Sequence, residues 1–278
     1  MPPQDHDAAE QTPSPGSVQA SSIQRQRLFR VEAVVLRHSD WGEADRLLWL
    51  FSQELGKMRA IAKGVRKPRS RKAGHLEPFT RSNLLLARGR DMPIVTQAET
   101  VDAYLALRDD LLRTTYASYV VELLDRFTYE EGEHRGLYQL LVNTLSRLCQ
   151  PLDLDLVVRF YEVRLLDFVG FRPQLFACAQ CGNEIRPQDQ YFSAQLGGVL
   201  CPNCGLQVNG SWPISMQALK YLRHFQRSNF SNAARARLTP DLSRELEVIV
   251  QHYLTYHLER GLNTPAFLRR IRRGVEDP

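Results

Sequence analysis

Four of the five cysteines fall into two pairs of the same spacing, Cys178-Ala-Gln-Cys181-Gly and Cys201-Pro-Asn-Cys204-Gly, and this pattern constrains the chain more than any other. Two residues between thiolates let both sulfurs of a pair reach one tetrahedral ion at about 2.3 Å. The glycine after each pair, Gly182 or Gly205, frees backbone N–H groups to turn toward the sulfurs. Vicinal redox pairs and disulfides between the pairs are the competing readings. The repeated spacing favours a zinc ribbon with Cys178, Cys181, Cys201 and Cys204 as ligands. Four thiolates close the shell and leave no position for water, so one structural Zn²⁺ is expected. Cys149, set among Leu145, Leu148 and Leu152, reads as a core thiol. Tight pairs in an odd total suit a reducing compartment, so the cytoplasm is expected.

Around this element the hydrophobic period changes along the chain. Short runs at 29–36, 45–51, 57–63, 82–88 and 93–98 read as five strands of a small barrel. In the third, alternation puts Met58, Ala60 and Ala62 on one face and Lys57, Arg59 and Lys63 on the other. The link from Gly64 to Phe79 carries too much Pro, Gly and charge for a core element and reads as a mobile loop. From about residue 103 the spacing becomes helical, with helices expected over 105–127, 137–149, 154–169, 215–227, 240–260 and 265–273. The helix over 154–169 has Asp155, Arg159 and Glu162 as its only polar stripe, which places it at the centre of a bundle. The implied division is a disordered tail at 1–25, a barrel at 26–102, a helical unit at 103–176 and 211–278, and an insertion at 177–210. The longest apolar run, Leu47 to Phe51, is far short of the roughly 20 residues of a membrane span. No membrane association is expected.

The net charge of +5 is too mild to argue for a polyanionic partner, but its distribution is uneven. Between Lys57 and Arg90 eleven basic residues face one acid, Glu77, a local balance of +10 that leaves −5 for the rest of the chain. A concentrated basic segment on a neutral-to-acidic protein is the electrostatic footprint of a nucleic-acid binder. Lys57, Arg59, Lys63, Arg66, Lys67, Arg69, Arg71, Lys72, Arg88 and Arg90 are the candidate phosphate contacts, and Trp41 a candidate stacking face. Phe51 and Phe79 also qualify as stacking faces, although core packing is the commoner fate of such residues. A solubilising charged loop is the bland alternative. A second cluster, Arg269-Arg270-Ile271-Arg272-Arg273, either extends this surface or complements a helix C-terminus.

Motifs for bond-making chemistry are absent. There is no GxxxxGK[ST], HExxH or GxSxG, and His252 and His257, five apart, do not share a helix face. Asp109-Asp110 and Glu130-Glu131 read as solvated surface. The expectation is a binding protein and not an enzyme. A metal-dependent nuclease with an OB-type substrate barrel and a zinc-ribbon scaffold of the transcription machinery are kept as alternatives.

Several stretches carry a family resemblance: Val35-Leu36, Gly42-Glu-Ala-Asp-Arg-Leu47, Gly56, Ala62-Lys-Gly-Val-Arg-Lys67, Gly74-His-Leu-Glu-Pro-Phe79, and Gly170-Phe-Arg-Pro173 leading into Cys178. In order and spacing these resemble the bacterial RecO recombination mediators. The resemblance implies a multi-domain α+β chain: an N-terminal OB-fold β-barrel, then an α-helical domain with an inserted four-cysteine zinc finger. It implies binding of single- and double-stranded DNA, annealing of complementary strands, and cooperation with RecR in loading RecA onto strands coated by single-strand binding protein, in the bacterial cytoplasm with the nucleoid. It further implies a groove for the acidic tail of single-strand binding protein, for which Leu156, Arg159, Phe160 and Arg164 are candidates; a packed central helix is the competing reading of the same residues.

Overall fold

The computed structural model describes residues 26–129, 134–258 and 261–276. The tail expected over 1–25 and the pair Glu130-Glu131 lie outside them.

Five strands form a closed barrel: β1 (Leu28–Trp41), β2 (Asp45–Ser52), β3 (Gly56–Ala62), β4 (Arg81–Ala87) and β5 (Ile94–Asp102), in the order β1-β2-β3-β5-β4. All neighbours are antiparallel except β3 and β5, which meet in parallel at Ile61 and Ile94. This is an OB-like arrangement. Period-two alternation along β1 sends Phe29, Val31, Ala33 and Val35 into the barrel, where they meet Leu48, Leu50, Ala60, Leu84 and Leu86. The opposite face of β1 is apolar too. Val34 and Leu36, with Phe51 of β2, belong to the core of the helical unit. The barrel therefore has one wall that is interior on both sides.

The link after β3 is anchored, contrary to the expected mobile loop. Val65 and Leu76 are buried in the barrel core, the latter in a 3-10 turn over Ala73–Leu76. Two apolar side chains suffice to pin a segment whose composition is otherwise that of a solvated loop.

The helical unit comprises α1 (Leu111–Phe127), α2 (Arg135–Leu148), α3 (Leu154–Phe168), α4 (Met216–Arg227), α5 (Pro240–His257) and α6 (Thr264–Glu276). The starts of α1, α3, α4 and α5 are chemically marked: Asp110, Asp153, Ser215 and Thr239 accept hydrogen bonds from first-turn N–H groups. The helix expected from residue 105 starts only at Leu111, because Leu105–Leu107 is a separate 3-10 turn entered through Tyr104 at φ 44°. As expected, α3 runs through the middle of the bundle, so deeply that its polar stripe is buried as well. Arg159 and Glu162 are 1 % and 0 % exposed. Glu162 accepts a hydrogen bond from Tyr119 at 2.5 Å, and Nη1 of Arg159 stands 2.7 Å from its other oxygen. Burial pushes the Glu162 carboxyl up to about 7, the Arg159 charge holding it from rising further. Asp155, Glu247 and Tyr116 converge on Arg272, which ties α6 to the bundle.

Between α3 and α4 the chain makes a three-stranded sheet, β6 (Gln190–Ser193), β7 (Gly198–Leu200) and β8 (Trp212–Ile214), in the order β7-β6-β8. It packs on the helices through Phe192, whose ring stands edge-on to Tyr253 at 5.3 Å.

Candidate nucleic-acid interface and metal centre

The four expected ligands come together. The Sγ atoms of Cys178, Cys181, Cys201 and Cys204 all lie within 4.8 Å of one another. Cys181 and Cys201 are 3.9 Å apart, close to the edge of about 3.8 Å that a tetrahedron of sulfurs around one ion requires. Local geometry supports charge on these sulfurs. The Cys201 N–H donates to Cys178 Sγ at 3.3 Å, and Gly182, at φ +75°, closes its knuckle by donating to the Cys178 carbonyl. The second knuckle needs glycine for space. A Cβ at Gly205 would lie 2.3 Å from Tyr191. Burial opposes the Cys178 thiolate, yet backbone donors bring its thiol down to about 6. Hydrogen bonding with Cys201 and burial push Cys204 up to about 12. Four sulfurs gathered at tetrahedral spacing are the donor set of a metal site. All five cysteines are free of disulfides. Cys149 is half-buried against the helical core, and burial raises its thiol, as a structural role requires.

The basic candidates separate into two groups. Because β3 ends beside the start of β5, the loop after β3 lies alongside the β4–β5 hairpin: Ile61 N–H donates to Pro93 O at 2.8 Å and Lys72 Nζ to Val95 O at 2.8 Å. The β1–β2 hairpin adjoins the same loop, through Gly64 N–H on Asp45 at 2.7 Å and Arg66 on Asp40 at 3.2 Å. Lys63, Arg66, Lys67, Arg69, Arg71, Arg88 and Arg90 and half-exposed Trp41 are thus exposed on three adjoining segments, a candidate seam, with Arg59 exposed on β3. Asp40 offsets part of the Arg66 charge.

The others are corrected by their surroundings. Lys57 does point out of the barrel, but that part of the outer wall is covered by α1. Its ammonium pairs with Asp125 at 2.7 Å and donates to the carbonyls of Asp125 and Thr128 at 2.6 and 3.1 Å. Alternation places it on the correct face and cannot reveal a helix against that face. Lys72 is spent on Val95, and burial lowers its ammonium below the usual lysine range. Arg81, counted in the basic segment, pairs with Glu32, which also accepts from Tyr138 of α2. Phe51 is wholly buried and is no stacking face. Replacing Lys57 by Met is expected to destabilise the chain by about 1–3 kcal/mol, through one oxygen of Asp125 and two carbonyls left without their donor, Arg37 still reaching the other oxygen at 3.7 Å. DNA affinity of the folded variant is expected to change less than about twofold. Urea melts and fluorescence anisotropy check both, and a loss of affinity without loss of stability would return Lys57 to the interface.

The groove expected at 156–164 is corrected as well. Leu156, Arg159 and Phe160 are buried in the bundle, and Arg164 is engaged by Asp167 and the Gln226 carbonyl. On a central helix every face is covered. In the C-terminal basic cluster Arg272 turns inward, and Arg269 and Arg270 stay exposed. His252 and His257 act in packing, stacked on Trp212 and Phe171 at 4.1 and 4.2 Å. Among the described residues no helix is long and apolar enough to cross a membrane.

Residues 27–104 match the family model described as Recombination protein O N terminal, and residues 108–266 that described as Recombination protein O C terminal. The chain is 41 % identical over 248 residues to the DNA repair protein RecO of Roseiflexus sp. (strain RS-1), covering 89 % of this chain and 87 % of the relative. It is 36 % identical to the RecO of Pelotomaculum thermopropionicum, over 88 % of this chain and 95 % of that one. With the RecO of Dehalococcoides mccartyi (strain ATCC BAA-2266 / KCTC 15142 / 195) it shares 35 %, over 84 % and 91 %. Both halves of the chain, the OB-like barrel and the cysteine-bearing helical unit, therefore point the same way: this chain belongs to the RecO family of DNA repair proteins.

Proposed function

We propose that this chain is a recombination mediator with no catalytic step of its own, which binds single- and double-stranded DNA on the basic seam of the barrel and anneals complementary strands. The observation that carries the reading is the seam itself: exposed cations on three adjoining chain segments, with Trp41 among them. Such a strip screens phosphate repulsion between two strands, while base pairing supplies specificity and driving free energy. No nucleotide need be consumed. Family membership extends the reading to RecR, to single-strand binding protein and, indirectly, to RecA loading in the bacterial cytoplasm at the nucleoid. The four-thiolate cluster is assigned one structural Zn²⁺, which would hold the insertion and leave no site for water.

Replacing Lys67, Arg69 and Arg71 together by Ala tests the seam. If about five cations contact a single strand the log–log salt slope is about −3.5, and the triple variant is expected to flatten it by about two units for all sequences alike. An unchanged slope would place the DNA elsewhere. Annealing of complementary labelled oligonucleotides, run with EDTA and again with Mg²⁺, separates mediator from nuclease: shortening of either strand that depends on metal would overturn the mediator reading. A pull-down that recovers RNA polymerase in place of RecR and single-strand binding protein would favour a transcription scaffold.

A further inference from the structure

A groove of about 1050 Å³ lies between α4 and the segment that leads from the first cysteine knuckle into β6. It is lined by cations from both sides: Lys220, Arg223 and Arg227 from α4 and Arg186 from the insertion, over an apolar strip that includes Phe176 and Met216. None of the residues lining it is acidic. The spacing of three and four puts Lys220, Arg223 and Arg227 on one helix face, a row of about 10 Å at 1.5 Å per residue.

Two of these charges are held closer than their mutual repulsion favours. Arg223 and Arg227 both lie over the Phe176 ring, at 5.0 and 3.6 Å, and Arg223 is fixed there by donating to the Leu175 carbonyl at 2.8 Å. Burial, and then the neighbouring Arg227 charge, lower the Arg223 guanidinium from its usual range. Elsewhere in the chain Arg81, Arg159 and Arg272 have carboxylates beside them, while Arg147 rests alone on the Phe230 ring at 3.8 Å. Here, among the described residues, no ion pair is formed by any of the four groove cations, although the charge of Glu184 reaches Arg223. An anion is the missing partner, and a row of cations across the groove from a fourth suits an anion that repeats.

We propose that this groove is a second phosphodiester site, which holds a single DNA strand while the barrel seam holds another. A repeating backbone meets successive cations of the row, and the apolar strip receives base faces; an acidic peptide would have to supply several carboxylates at the same spacing to do as well. The proposal rests on the annealing reading, which needs two strands on one molecule. It gives the cysteine insertion a task in that process, because the insertion supplies Arg186 and one wall of the groove.

The test uses the full chain with its metal bound and two differently labelled oligo-dT strands that cannot pair with each other. One strand is bound to saturation, and co-capture of the second is measured against salt. Arg186→Ala/Lys220→Ala/Arg227→Ala is expected to leave the first strand's affinity within about twofold. It should reduce capture of the second about tenfold and lower the salt slope of that step by about two units. Arg186→Ala/Lys220→Ala, which keeps Arg227 on Phe176 and so keeps the packing, is expected to show a smaller loss of the same kind at an unchanged melting temperature. Equal second-strand capture by wild type and a folded variant overturns the proposal. So does an acidic, apolar-ended peptide that binds wild type and not the variant while strand capture is unchanged, since the groove would then be a protein dock. If instead the Lys67/Arg69/Arg71 variant keeps all first-strand binding and the groove variant loses it, the barrel reading fails and the groove stands as the DNA site.

Discussion

Stripping the metal from the four-cysteine cluster is expected to unfold residues 177–210 and to lower the thermal stability of the helical unit. The insertion's strands are only three or four residues long, too short to persist on their own pairing. The sulfur cluster ties together the two knuckles that flank β6 and β7, and structural zinc contributes about 10–16 kcal/mol in isolated fingers. The loss here should be a fraction of that, on the order of several kcal/mol, because Phe192, Val199 and Leu200 also pack into the helical core. Cys178→Ser/Cys204→Ser should behave as the chelated protein does. Atomic emission should find one equivalent of zinc in protein purified without chelator, and less than about half would contradict the assignment. Thermal melts before and after chelation read the stability. A melt unmoved by full metal removal would show that the cluster holds nothing together. Binding of a first DNA strand should survive, because the barrel core shares no residue with the insertion.

Replacing Arg159 by Ala is expected to destabilise the chain by about 3–5 kcal/mol, since it leaves the Glu162 charge buried without its partner. Arg159→Met/Glu162→Gln removes both charges, keeps an acceptor for the Tyr119 hydroxyl and should recover most of that loss, even though neither substitution touches a surface. The pair is costly as built: Nη2 of Arg159 has no hydrogen-bond partner, and Nη1 faces Glu162 at ion-pair distance without the alignment of a hydrogen bond. Its pH dependence follows from sign. The Glu162 carboxyl titrates near 7 in the folded chain against 4.5 as the ordinary value, so folding favours the protonated form. Stability from this group is full below about 4.5 and is lost as pH rises through about 7. Wild type should therefore lose stability relative to Glu162→Gln over that interval in urea melts taken at each pH. A wild type that gains on the variant as pH rises would refute the assignment.

The strands and helices are largely legible in the sequence because their signals are local. Alternation along 29–36 and capping residues such as Asp153 and Ser215 mark structure within a few positions, and the cysteine knuckles mark their own cluster. What cannot be read is whatever depends on the far side of a face. Lys57 and Arg59 occupy equivalent positions on β3, yet Lys57 is held by Asp125 of α1 while Arg59 is exposed. Arg159 fits a partner groove as well as a packed central helix until the bundle closes around it and leaves it 1 % exposed. The segment after β3 looks unstructured because Val65 and Leu76 are two residues among many charges. The groove on α4 escapes for a related reason: its cations are spread over 186–227 and meet only after the insertion folds back.

Strand edges also bear on how this protein meets its partners. Hydrogen bonding passes from β1 round to β4 and back, and the ring is closed between β3 and β5 by the single bridge at Ile61 and Ile94. In the small sheet, β7 is flanked by Gln174, which exchanges backbone hydrogen bonds with Val199 and Gly197, and β8 carries Pro213 at its centre. A protein that extends a neighbour's sheet needs a row of unpaired backbone groups, and Gln174 and Pro213 interrupt such a row at the two edges of the small sheet. Recognition by the small sheet is therefore left to side chains, which single substitutions can edit, and the same interruptions guard it against sticking to copies of itself.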